Sequence, residues 1–506
     1  MICKLMQRGL AGGGRLLLAG VALLAIMLAT MQATLAGAEA QGQAQGQPRA
    51  PMPALVFDLD TGEVLLAHDA GQPWYPASLT KLMTAYLVME AVDSGRLSFD
   101  DEAVVSRAAA YGVEKGAAIY GAKPGERMTI GRMLTFLMVR SDADMALALA
   151  EAVAGDFDSF VARMNQATGR LGMSGTYFVN PHGMHDAAQR TTARDMALLA
   201  RAIYTRFLRR HPGWWRFFSL RKVEKTVRLK NGKTAQAKLK NRNYLLFMMP
   251  EANGMKTGFL CSSGFNLLGT ARRGGVQLGA VVFGRRSAYN RAVVTRILLE
   301  EGFRRKRAGE GLRVPVSRLA NLTTHAPNMA RAICATRILP EVRPAAFAGW
   351  GVALGPFRSP MRALAATEAE LLASELVDDE TIAYGVAPVY LPVLRQTGML
   401  EAWREMAGKN KRRRAPAGGF VWRLNEAQAV ELCRRARLHG VGCGIQSPAE
   451  LAALARIWPK RRRKRAAGTP ATKTRGGARQ GHGKRRVRAR FSGGKLRVTP
   501  THAPAR

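Results

Sequence analysis

Apolar residues crowd either side of the tripeptide Asp60-Thr61-Gly62 in ALVFDLDTGEVLLAHDA, which predicts two short strands joined by a turn. From Ser78 the spacing becomes helical, through Leu82, Ala85, Met89 and Val92, and Gly95 offers a natural end. The same periodicity recurs around residues 130–138, 144–154 and 156–171, and Thr192 with Asp195 caps a further helix, TARDMALLARAIY. Two apolar segments, GFNLLGTA and VQLGAVVFG, flank Arg272-Arg273-Gly274-Gly275 as a hairpin, and AVVTRILLEEGF follows as a helix. Together these elements predict an α+β domain over residues 51–303.

After residue 303 the pattern weakens, and residues 304–346 read as a linker. From residue 347 it resumes as WGVALGPFRS (strand), PMRALAATEAELLASEL (helix), TIAYGVAPVYLPV (strand), FVWRL (strand), NEAQAVELCRRARLHG (helix) and VGCGIQS (strand). A βαββαβ order suits a smaller ferredoxin-like domain over residues 347–447. LRQTGMLEAWREMAGKNKRRRAPAGG interrupts it as an insertion.

The 506 residues and 47% hydrophobic content suffice for two or three domains with packed cores. The net charge of +41 is unevenly placed. Residues 460–506 are dense in Lys and Arg, free of acid and punctuated by Gly, Pro and Thr, which reads as a disordered basic tail. At the other end, Lys4, Arg8 and Arg15 precede LLLAGVALLAIMLA, an apolar run too short to span a membrane comfortably. Small residues follow at Ala36-Gly37-Ala38 and Ala38-Glu39-Ala40. Residues 1–40 are therefore expected to be a secretory signal peptide with two candidate cleavage points, residues 41–50 a low-complexity linker, and the mature protein a resident of the periplasm or cell envelope. Export separates the basic tail from nucleic acid, so its readings are an arm for anionic lipid head groups or envelope polymers, or a solvated extension.

Losing the leader removes Cys3 and leaves Cys261, Cys334, Cys433 and Cys443 in an oxidising space. They form no CxxC or Cys/His metal spacing, and His182-x-x-His185 has neither an intervening Glu nor a further ligand nearby, so no metal or other cofactor is expected. Cys433 and Cys443 fall on the last helix and strand of the second domain, within reach of a disulfide. Cys261 reads as a small buried apolar side chain.

The chemistry concentrates in three short motifs. PASLTKLMT sets a hydroxyl, Ser78, three residues before an amine, Lys81, and on a helix such positions share a face about 5–6 Å apart at Cβ. RSDAD places Ser141 at a helix start, and NGMKTGF places Lys256-Thr257-Gly258 at the head of the hairpin. The order S-x-x-K, S-x-N, K-T-G is that of penicillin-binding proteins and serine β-lactamases. The middle motif is incomplete here.

With DLDTGEVL, PASLTKLMTAYLV, TFLMVRSDADMALALAEAVAG, GMSGTYFVNPHGMHDAAQRTTARDMALLARAIY and NGMKTGFLCSSGFNLLGTARRGGVQLGAVVFG in sequence, about half of the chain resembles the D-alanyl-D-alanine carboxypeptidases, the low-molecular-weight penicillin-binding proteins. The resemblance implies an antiparallel sheet flanked by helices, stem peptides of peptidoglycan as substrate and β-lactams as acylating inhibitors. It further implies Ser78 as nucleophile, Lys81 as its general base, Ser141 as proton relay, Lys256, Thr257 and Gly258 as the substrate-binding strand, and an oxyanion hole at the backbone N–H groups of Ser78 and Phe259. FVNPHGMHD matches the carboxypeptidases and carries no added Glu of the kind β-lactamases use against the acyl ester. The chain departs from the family at Ala143, where S-x-N-D has become Ser141-Asp142-Ala143-Asp144. A lost hydrogen bond of this kind is worth about 1.5–3 kcal/mol, or roughly 10- to 150-fold in rate. Slower turnover is expected, the alternative being a catalytically weak pseudoenzyme that binds stem peptides. WGVALGPFRS and LNEAQAVELCRRARLHGVGC resemble the peptidoglycan-binding SPOR domain, which implies glycan strands as its partner, although Ala353 stands where that family commonly has a polar residue.

Overall fold

Alternation along the strands of the first sheet sends side chains to two different cores. In β1 (Ala54–Asp58) and β5 (Val276–Arg285), Leu55, Phe57, Val281 and Phe283 join one apolar cluster, while Ala54, Val56, Ala280 and Val282 join another. A strand buried on both faces must lie between two layers, and that is the arrangement in this computed structural model. It describes residues 51–458 apart from Lys115, Lys230, residues 336–338, Glu341, Arg343, Glu380, Tyr390 and residues 408–415. The expected signal peptide, the linker at 41–50 and the basic tail lie outside the described residues.

The first sheet is antiparallel, in the order β2-β1-β5-β4-β3, with β2 at Val64–His68, β3 at Ala252–Leu260 and β4 at Gly264–Arg273. Helices α1 (Lys81–Asp93), α2 (Ile130–Val139), α3 (Ala143–Ala154), α4 (Phe157–Arg170) and α5 (Ala193–Ile203) fill one face. Helix α1 is buried on almost every side from Lys81 to Met89, making it the centre of this layer rather than an amphipathic flank. Helix α6 (Ala288–Ala308) covers the other face.

The C-terminal residues form a second antiparallel sheet from β6 (Trp350–Phe357), β7 (Ala383–Pro388), β8 (Ala417–Leu424) and β9 (Cys443–Gln446), in the order β7-β8-β6-β9. Helices α7 (Pro360–Ala373) and α10 (Glu426–Leu438) follow β6 and β8. Val352, Leu354 and Val421 face α7 and α10 and share a core with α6. The opposite face, carrying Ala353, Phe420 and Trp422, is covered by α8 (Leu391–Gln396) and α9 (Leu400–Ala407) of the insertion and by α11 (Pro448–Ile457). Helix α11 was not legible as part of the βαββαβ pattern.

The segment expected to be a linker packs along the first sheet and its helical layer as a strap. Leu312 and Val314 pair with Val64 at the edge of β2, with N–H donors 3.0 and 2.9 Å from their acceptors. Arg194 at the start of α5 then donates to the carbonyls of Leu319 and Ser317 at 2.7 and 3.0 Å. Leu322 N–H donates to Gly71 O at 2.9 Å, where a Cβ on Gly71 would stand 2.0 Å from Ala320 O. The strap ends at a disulfide between Cys334 and Cys261, 73 residues apart. This corrects the sequence reading of Cys261, which is exposed and cross-linked rather than a buried apolar filler. Cys433 and Cys443 are joined, as the sequence suggested.

Candidate active site

Ser78 lies on a single 3₁₀ turn, Ala77–Thr80, that leads directly into α1. The residue before it, Ala77, has φ of 48°, and Ser141 has φ of 68°, a left-handed conformation costing a non-glycine residue about 1–3 kcal/mol. Two such residues in one small region are held there by their surroundings. Against the Ser78 turn runs the end of β3. A Cβ on Gly258 would fall 2.8 Å from Pro76 O and 3.3 Å from the Ala77 Cβ, so glycine is what lets the strand approach. Arg291 of α6 supports this approach by donating to Gly258 O at 2.8 Å. Phe259, the next residue, is 43% exposed and stacks on Phe265 with centroids 4.1 Å apart.

Lys81 is 1% exposed, and its Nζ donates to Ser78 Oγ at 3.3 Å and to the carbonyl of His182. Burial brings its amine down to about 7, against the opposing pull of the Asp142 carboxylate. Near neutral pH a substantial fraction is therefore free base. Lys256, equally buried, donates to Ser141 Oγ and to Thr257 O, both at 2.9 Å. Its pKa also lies well below the ordinary lysine range, first through burial and then through the charge of Lys81. Two hydroxyls and two amines thus form one cluster at the edge of β3, which among the described residues pairs with β4 alone. Thr257 is buried beside them.

Ala143 opens α3, 1% exposed, its N–H donating to Ala118 O at 2.7 Å. Beside it the Asp142 carboxyl is pushed up to about 6 by burial and by Asp144. The neighbouring Asp144 is committed elsewhere, accepting from the N–H groups of Tyr120 and Gly121 at 2.8 and 2.7 Å.

Sequence reasoning missed the loop that receives Lys81. The His182 ring is buried and held down to about 3, through burial first and then Lys81, and the useful group is its carbonyl. Gly183 follows at φ 81°, where a Cβ would meet Ala77 O at 2.0 Å. Thr84 Oγ1 ties α1 to the same loop through Pro181 O at 2.7 Å. The sequence signal for this loop is the glycine in FVNPHGMHD.

Residues 40–287 match the family profile described as Peptidase S11, D-alanyl-D-alanine carboxypeptidase. That stretch is similar to this family. Over 252 residues it is 37% identical to D-alanyl-D-alanine carboxypeptidase DacD of Salmonella typhimurium, covering 49% of this chain and 61% of that protein. Over 248 residues it is 32% identical to D-alanyl-D-alanine carboxypeptidase DacF of Bacillus subtilis, covering 48% and 60%. The chain spans about three fifths of the length of these curated relatives. Among solved structures, penicillin binding protein 6B from Escherichia coli is 34% identical with a TM-score of 0.44, covering 51% of this chain and 78% of that one. Within the matched range stand all seven residues picked out by motif, from Ser78 to Phe259, whereas the second sheet lies beyond it.

Proposed function

We propose that this protein is a serine-type D-alanyl-D-alanine carboxypeptidase of the cell envelope that trims the stem peptides of peptidoglycan and is acylated by β-lactams. The observation that carries the reading is a buried lysine amine, brought to about 7, lying 3.3 Å from a serine hydroxyl beside the edge of β3. A serine needs such a base to become a nucleophile, and a lysine needs such burial to become the base.

In this mechanism the substrate's terminal carboxylate sits at Lys256 and Thr257. Ser78 Oγ attacks the carbonyl of the penultimate residue while Lys81 takes its proton. The resulting oxyanion is received by the N–H groups of Ser78 and Phe259, a role supported by the close approach of Gly258 to the Ser78 turn. Lys81 hands that proton on through Ser141, which is bonded to Lys256, to the departing amine, so that the peptide C–N bond breaks to release D-alanine and Lys81 is again a free base. Water then attacks the Ser78 ester, Lys81 takes its proton and returns it to Ser78 Oγ as the ester C–O bond breaks, and the shortened peptide leaves with Ser78 restored.

Two disulfides using Cys261, Cys334, Cys433 and Cys443 support an oxidising compartment, hence export by the leader read at residues 1–40. The βαββαβ order and the antiparallel arrangement β7-β8-β6-β9 support a ferredoxin-like, SPOR-like origin for the second module. Because Ala353, Phe420 and Trp422 are packed under α8, α9 and α11, we assign this sheet face to internal packing rather than to a glycan strand. The direct test is mass spectrometry after incubation with benzylpenicillin. One penicilloyl group on Ser78 is expected; an unmodified protein, or a modified Ser78→Ala variant, would overturn the assignment.

A further inference from the structure

Where α6 meets the second module lies a cavity of about 510 Å³. Its walls come from α6, from the end of β6, from α7 and α9, and from the residues after α10. Neither Ser78, Lys81, Ser141 nor Lys256 lines it, so it is separate from the catalytic cluster. Sites for small ligands commonly measure roughly 300–1,000 Å³, and this cavity has room for one.

Three guanidiniums line it, Arg296 of α6 and Arg358 and Arg362 of the second module, and no Asp or Glu does. Among the described residues none of the three has a carboxylate partner. That sets them apart from their neighbours, since Arg304, Arg305 and Arg435 all share the Glu301 carboxylate farther along α6. Arg362 lies over the Tyr289 ring, 4.8 Å from its centroid, which helps to fix its guanidinium at the wall. Behind the wall, the fully buried Glu370 is outside the lining, and its Oε2 is bonded to His439 Nδ1 at 2.8 Å. Like charges around one concavity repel one another, and an anion between them reverses the sign of the interaction.

We propose that this cavity binds a phosphate monoester, its phosphate held by Arg296, Arg358 and Arg362. Guanidinium forks engage phosphate oxygens two at a time, and a monoester presents three acceptor oxygens and close to two negative charges to the three arginines. The rest of the lining is largely apolar, through residues such as Val293, Ile297 and Phe357, and takes the body that carries the phosphate. Such a group reaches a cell-envelope protein either on a lipid or on a soluble ester, and the two differ in how much apolar body they bring.

The test is calorimetric titration of the full chain with sn-glycerol 3-phosphate, with dihexanoyl phosphatidic acid below its micellar concentration, and with inorganic phosphate. At least one of the two esters is expected to bind, and to bind about threefold or more tightly than inorganic phosphate, which leaves the apolar wall empty. Tighter binding of the lipid assigns the site to a membrane head group, and equal or tighter binding of glycerol phosphate assigns it to a soluble ester. Arg358 and Arg362 are exposed, so Arg358→Ala with Arg362→Ala should fold and melt as the parent does. That pair should weaken the preferred ester about tenfold or more, and Arg358→Ala alone about threefold. The Lys- and Arg-dense residues 460–506 are the same in parent and variants, so their background binding cancels in the comparison. Binding of neither ester, inorganic phosphate matching both esters, or equal binding by parent and variants would overturn the proposal.

Discussion

At the scale of single residues the site is a problem of where protons reside. Lys81 titrates near 7 because burial outweighs Asp142, so acylation of Ser78 should climb with pH through about 7 as the free amine fills, and flatten above it. Removing the Asp142 charge removes the larger of the two carboxylate attractions, from Asp142 and Asp144, that raise Lys81. Asp142→Asn should therefore move the midpoint of the pH–acylation profile to lower pH; a midpoint that stays or rises would contradict the electrostatics. Lys81→Ala should cost about 10²–10⁴-fold in acylation rate. Ala143 needs a different treatment. It is buried at 1% exposure, so Ala143→Asn should overpack the start of α3, costing about 1–3 kcal/mol without raising D-alanine release. A lower melting temperature at unchanged rate is the expected result, and a gain of roughly tenfold or more would show that the missing amide alone limits the site.

At the scale of elements, loops and strand ends place the groups proposed to be catalytic. Gly183 allows the 180–186 loop to lie on Ala77 and offer the His182 carbonyl to Lys81. Gly183→Ala should reduce acylation at least about tenfold as well as stability, since backbone and sterics both oppose it. Gly172→Ala is the control: φ is 69° there, but a Cβ would meet nothing within 4 Å, so it should lower stability and leave acylation unchanged. Most of the elements were legible because their patterns are local. The hairpin around Arg272-Arg273-Gly274-Gly275, the capped helix at Thr192 and the order of the motifs all depend on neighbours in sequence. Ser78 was expected on a helix and lies on the 3₁₀ turn before it, because the close approach of β3 is not written in helical spacing. The strap was not legible as structure, because it is held by side chains and edges far away in the chain, such as Arg194 and Gly71. For the same reason its partner for Cys261 could not be read from spacing.

At the scale of the whole molecule, the two sheets are joined through α6. Glu301, fully buried, binds Arg304 and Arg305 on its own helix and Arg435 of the second module at 2.6 Å. Burial alone would raise its pKa, but the hydrogen bonds from Arg304 and Arg305 and the charge of Arg435 hold it below the ordinary value. Its contribution is thus present above the unfolded carboxyl pKa and fades as pH falls through the lower folded value. Glu301→Ala strands buried arginines and should cost about 3–5 kcal/mol. Calorimetry should show one cooperative transition, lowered as a whole, and two separate transitions in the parent protein would contradict the shared core. The central claim is narrower than this architecture: a Ser78 acyl-enzyme that releases D-alanine. It is tested most directly by incubating the purified protein with a stem pentapeptide and measuring free D-alanine. The account predicts release of one D-alanine per peptide, abolished in Ser78→Ala. No release by the parent protein, or undiminished release by Ser78→Ala, would contradict it.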